Sequence, residues 1–121
     1  MKAKTTFSHN GATLNIRTTD KCHDIEAFHI RGVRWFQKTY GNTYHRAYIS
    51  ALVNGRWVDL GHTDIVYGYG DHYKVTAGAW LIENGYFECD NKAGYALADY
   101  SVRDTFAVEC TGQDVQRKRD M

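Results

Sequence analysis

The chain has no proline, so no reversal is set by a pyrrolidine ring and the turns fall to glycine, asparagine and aspartate; eleven glycines meet that need. Cysteine is scarce and scattered. Three residues (Cys22, Cys89, Cys110), an odd and widely spaced set, argue against a disulfide framework and read as reduced thiols, packed as small hydrophobes in a cytoplasmic protein. Neither sign of charge dominates. Fifteen Lys and Arg against fourteen Asp and Glu leave a net +1, which argues against an acidic mimic of DNA and a strongly basic nucleic-acid binder, while a local patch stays open. No apolar run approaches the ~18 residues of a membrane span, and no charged-then-apolar leader opens the chain, so neither membrane insertion nor secretion is expected.

Signatures of chemistry are equally sparse. There is no Gly-x-Ser-x-Gly, and no cysteine neighbourhood reads as that of an activated nucleophile. His62 with Asp64, Asp71 with His72, and His45 from a neighbouring strand offer nitrogen and oxygen donors. No Cys-x-x-Cys or His-x-x-x-His spacing organises them, so neither a metal nor a cofactor is expected. Among fourteen acids no carboxylate pair is singled out, and the chain does not read as an enzyme.

What the chain has is one domain's worth of residues, 1–121, with 43% hydrophobic and 24% charged, enough to bury roughly two-thirds of its unfolded surface. Aromatics stand out: nine Tyr, five Phe and three Trp. Asn10-Gly11 between Thr5-Thr6-Phe7 and Ala12 to Ile16 predicts an N-terminal hairpin. Residues 18–31 admit two readings, a short helix capped by Asp20 or a strand over Ile25 to Ile30 that bends at Gly32.

Val33 to Tyr40, Thr43 to Val53 and Arg56 to Leu60 predict an antiparallel meander joined by two-residue turns at Gly41-Asn42 and Asn54-Gly55. Such turns fix register: Trp35 is set opposite Tyr48, Leu52 opposite Trp57, and Ile49 opposite Leu60. Alternation gives the meander two sides. Phe36, Ala47, Ile49, Ala51, Val53, Val58 and Leu60 form an aliphatic side suited to lying under a helix. Trp35, Tyr44, Tyr48 and Trp57, with Arg46 among them, form an aromatic side.

A helix follows over 72–84, with Asp71 as its cap, Tyr73, Ala77, Trp80 and Leu81 inward, and Asn84-Gly85 as its stop. A weaker one spans Gly94 to Arg103, with Ala96, Leu97 and Tyr100 inward. Alternation from Thr105 to Thr111, extending toward Val115, predicts a half-buried final strand. The fold class is therefore α+β: an antiparallel sheet of about four to six strands with one or two helices on one side.

The aromatic side is the leading candidate site, since Trp, Tyr and Arg are the residue types that concentrate at protein interfaces. Beside it stands Tyr67-Gly68-Tyr69-Gly70-Asp71-His72-Tyr73, a glycine-rich approach to a helix start. The expected partner-binding set is Trp35, Tyr44, Arg46, Tyr48, Trp57, Tyr67, Tyr69, Asp71 and His72. Two other readings stay open. The same face suits single-stranded nucleic acid or a nucleotide, whose bases stack on aromatics, and it also suits a second core layer beneath the N-terminal hairpin.

The stretches Trp35-Phe36-Gln37-Lys38-Thr39-Tyr40-Gly41-Asn42-Thr43-Tyr44-His45 and Tyr67 to Tyr73, with the closing Val115 to Asp120, resemble small uncharacterised bacteriophage-encoded accessory proteins from residue 33 onward. The resemblance implies a non-enzymatic protein that binds and occludes a host or host-defence macromolecule in the host cytoplasm. It assigns no site residue.

Overall fold

The computed structural model describes residues 5–9, 12–89, 97–98 and 100–121. In chain order the elements are β1 (Thr5–His9), β2 (Ala12–Thr18), a 3-10 turn at Asp20–Cys22, β3 (Ile25–Gln37), β4 (Asn42–Val53), β5 (Arg56–His62), β6 (Val66–Tyr67), α1 (His72–Glu83), β7 (Phe87–Cys89), α2 (Tyr100–Thr105), β8 (Val108–Val115) and a closing 3-10 turn at Lys118–Asp120. Two sheets result, one in the order β1-β2-β7 and one in the order β5-β4-β3-β8, with β6 also paired to β4. The α+β class stands, in mostly antiparallel sheets of three and five strands.

Asn54-Gly55 behaves as its chemistry requires. Both residues take positive φ (51° and 77°), the backbone of a type I′ turn, and Leu52 lies opposite Trp57 as expected. The pairing then slips at Ile49/Ser50, so Ile49 meets Gly61 instead of Leu60. The slip sits where Trp80 of α1 presses on the strand: a Cβ on Gly61 would lie 2.8 Å from its ring.

The turn at Gly41-Asn42 differs. Gln37 pairs with Asn42, so residues 38–41 form a four-residue loop closed by the Gly41 N–H donating to the Gln37 carbonyl at 2.9 Å, with Gly41 at φ 69°. Trp35 consequently faces Tyr44, not Tyr48, and Tyr48 faces Arg31. The displacement is an even number of residues, so each side chain keeps its predicted side of the sheet.

The ambiguous stretch resolves into both readings in part. A strand runs unbroken through Gly32, and only a 3-10 turn precedes it, capped by Thr19 and not by Asp20. The Thr19 hydroxyl accepts from the Lys21 N–H and donates to the Gly85 carbonyl at 2.5 Å. The final strand also departs from expectation. β8 joins β3 in parallel, Phe28 opposite Val108 through Trp35 opposite Val115, because the chain returns to that edge by a long crossover instead of a hairpin.

Helix α1 ends as predicted, with the Asn84 N–H bonded to the Trp80 carbonyl and Gly85 at φ 79°. Its inward residues are Tyr73, Ala77, Gly78 and Leu81, with Trp80 stacked on Tyr86. In the region of the weaker helix, α2 spans Tyr100–Thr105; Leu97 is buried as expected, while Tyr100 points outward and Val102 is buried. Residues 94–96 and 99, like the Asn10-Gly11 turn itself, lie outside the described residues.

One core joins the two sheets. Phe28, Ile30, Ala47, Ile49 and Ala51 of the large sheet pack with Tyr73, Ala77 and Leu81 of α1. Phe7, Ile16 and Phe87 of the small sheet, with Leu97, Val102 and Phe106, belong to the same cluster. Phe36 and Val58, expected in that core, are 53% and 44% exposed. Because α1 and the small sheet occupy the same face of the large sheet, the N-terminal hairpin does not cover the aromatic side.

Candidate functional site

The outward face of the large sheet carries a row of rings at the end of β3 and β4. Trp35 stacks on Tyr44 (centroids 6.0 Å apart, planes at 27°), and Tyr44 meets Tyr67 edge-on at 5.9 Å. The second contact is backbone-enforced, since β6 pairs with β4 at Tyr44–Tyr67. The glycine-rich segment is thereby tied to the aromatic side. Such ring pairs contribute about 0.5–1.5 kcal/mol beyond their area.

A second group lies along the same face. The Arg31 guanidinium sits 4.4 Å from the Tyr48 ring centroid, Tyr48 contacts His62, and His29 contacts Trp57 edge-on at 6.1 Å. Between the groups is Arg46, opposite Val33. Arg46 is half-buried, and its Nε is buried with no hydrogen-bond partner among the described residues. An N–H held dry and unpaired costs about 1–3 kcal/mol.

The loop after β6 is set by its two glycines. Gly68 has φ 152°, and a Cβ there would lie 2.7 Å from His72 and 3.0 Å from His45, so close approach excludes a side chain. Gly70 has φ 61° and open space around it, so its requirement is conformational. Tyr69 between them is 77% exposed, and Tyr67 is 59% exposed. Arg34 Nη1 donates to the Gly70 carbonyl at 3.0 Å while its Nε meets Asp114 at 2.9 Å, fixing the loop's far end.

Asp71 and His72 stand at the start of α1, apart from the row of rings. Asp71 occupies the cap position without a capping hydrogen bond; its carboxylate faces Lys74 at 3.4 Å. His72 turns toward His45, ring centroids 5.3 Å apart, away from the row of aromatics. The set therefore divides: Trp35, Tyr44 and Tyr67 form one contact group, Tyr48 and Trp57 anchor a second, Tyr69 projects alone, and Asp71 and His72 belong to the helix start. Arg31, His29 and His62 are members that sequence reasoning missed. The first two lie on the part of β3 left ambiguous, and His62 on the part of β5 beyond the bulge.

All three cysteines are free, and burial pushes the thiols of Cys22 and Cys110 up. Among the described residues no three His, Cys, Asp or Glu side chains gather as metal ligands, and no helix is long and apolar enough to cross a membrane. No protein-family model, curated protein or solved structure matches the chain.

Proposed function

We propose that this is a non-enzymatic binding protein that occludes a macromolecular partner with the outward sheet face and the glycine loop. The role accords with a bacteriophage accessory protein acting on a host or host-defence protein in the host cytoplasm. The carrying observation is the Tyr44–Tyr67 contact, which makes the sheet aromatics and the loop tyrosines one surface.

Charge favours a protein partner over a nucleic-acid strand. Arg31 is already laid on Tyr48, and the face also carries Asp59 and Glu109, opposite Ser50 and His29. Phosphate binding depends on unspent Lys and Arg, whereas Trp, Tyr and Arg with few net charges suit a protein interface. Arg46, half-buried within the face, offers a guanidinium that suits a carbonyl or carboxylate brought by that partner.

The test is capture from bacterial lysate by the native protein and by a Tyr44→Ala/Tyr67→Ala variant of unchanged melting temperature. Expected is a defined protein retained by the native form at high salt, absent from the variant, with little absorbance at 260 nm. Equal capture by both forms overturns the assignment of the face. A nucleic-acid eluate that falls steeply with salt would replace protein by single strands as the partner.

A further inference from the structure

His45 is fully buried on the inward side of β4, yet both its ring nitrogens are engaged by other elements. Nδ1 lies 3.1 Å from the Gly68 carbonyl, an acceptor only, so Nδ1 carries the proton and donates. Nε2, 2.6 Å from the Thr76 Oγ, is then the acceptor of the Thr76 hydroxyl. One imidazole thus ties the glycine loop to the middle of α1, and the next backbone anchor is the Gly68 N–H donating to the Thr43 carbonyl at 2.9 Å.

We propose that His45 is the latch holding the loop at residues 67–70 against α1, and that acid releases it, freeing the backbone at Gly68 and the Tyr69 that follows it. That the released loop matters for binding rests on the reading given under Proposed function; the latch itself does not.

The hydrogen bonds alone would survive protonation, since Nε2–H could donate to Thr76 while the Thr76 hydroxyl turned to the His72 carbonyl at 3.4 Å. The charge is what the site does not accommodate. From α1 the titratable neighbour is His72; from β3 it is Arg34, in register with His45 and already paired with Asp114. Asp71 at the helix start is paired with Lys74. Along β4 the same-side neighbours are Thr43 and Ala47, and from β6 they are Val66 and Tyr67, the latter turned to Tyr44. Among the described residues no carboxylate bonds to the imidazole, and burial first, then His72, holds its pKa below the ordinary 6.5, against the pull of the Gly68 carbonyl. The sign follows. The closed form prefers neutral His45, so closure is fully favoured above pH 6.5 and is lost as pH falls from there to the lowered value. The least disruptive relief is for the loop to lift and admit water.

The experiment is a nuclear magnetic resonance titration of the native protein from pH 8 to 5. It follows the His45 ring protons and the exchange protection of the Gly68 amide, corrected for intrinsic rates. Expected is a His45 midpoint below 6.5, with Gly68 protection falling about tenfold per pH unit between 6.5 and that midpoint while protection of Ile49 stays flat. His45→Gln, whose amide can donate to Gly68 and accept from Thr76, should keep the loop closed and abolish the slope. A midpoint at or above 6.5, a flat Gly68 profile, or a slope that persists in H45Q overturns the latch. If H45Q does not fold, the native titration decides alone. None of these readouts needs a partner, so a latch that works beside a capture experiment that fails discards only the assignment of the face.

Discussion

Gly32 lies in the middle of β3, and the ring of Tyr73 rests directly on it. A Cβ at that position would lie 2.2–2.5 Å from three carbons of the ring, against an ordinary contact of 3.4 Å or more. Gly32→Ala therefore drives α1 off the sheet or Tyr73 out of its rotamer, in a core where Tyr73 is 2% exposed. Overpacking of this kind costs about 3 kcal/mol, partly offset by the ~0.5–1 kcal/mol gained when a strand glycine is replaced. The expected net loss is about 2 kcal/mol, or about 8 °C in melting temperature for a chain of this length. A double-mutant cycle isolates the cause. Tyr73→Ala alone should cost about 3–5 kcal/mol by truncation. Adding Gly32→Ala to Tyr73→Ala should then cost nothing more, giving a coupling of about 2–3 kcal/mol in urea unfolding. Gly32→Ala within about 0.5 kcal/mol of native, or additive losses in the double variant, would refute the ring-on-glycine account.

Four further outcomes are expected. Ile49→Ala, at a fully buried position, should cost about 2–5 kcal/mol in urea unfolding. Arg46→Met, which removes the unpaired Nε and keeps an apolar stem, should hold stability within about 1 kcal/mol while weakening partner capture. The Tyr73 phenol is pushed up to about 12, mainly by burial, from an ordinary 10.0, so the folded state holds its proton longer than the unfolded. Stability should fall as pH rises from about 10 toward 12, and Tyr73→Phe should flatten that fall when both are followed by circular dichroism. Native protein handled without reductant should titrate three thiols after denaturation, with Cys22 and Cys110 slow to react before it, since burial raises both.

How far the sequence carried the fold depended on whether the deciding interaction was local. Asn54-Gly55 set its hairpin because two residues that tolerate positive φ are the whole of a type I′ turn. The other turn misled by four residues, because Gly41 supplies the positive φ at the end of a longer loop, and pattern alone does not separate the two. The error left the site's face intact, since side-chain alternation survives an even slip, but it exchanged Trp35's partner. The parallel docking of β8 and the bulge opposite Ile49 were not legible: each is decided by a distant element, the crossover in one case and Trp80 in the other. From sequence His45 stands out only as a candidate ligand, for a related reason. Its partners, Gly68 and Thr76, lie 23 and 31 residues away and reach it only after α1 docks.

The parallel pairing of β3 with β8 also orders events in time. During synthesis β3 meets β4 at once through a short loop, but its other edge waits for Val108–Val115, which follow it in the chain by about eighty residues. Until then the sheet's interior strand is an open template whose N–H and C=O groups along Phe28 to Trp35 can recruit a strand from any neighbouring chain. A pairing that spans about eighty residues also raises contact order, which slows closure and lengthens that exposure. A chain stalled or clipped before Val108 is therefore the aggregating species, and β8 is the strand that closes this edge.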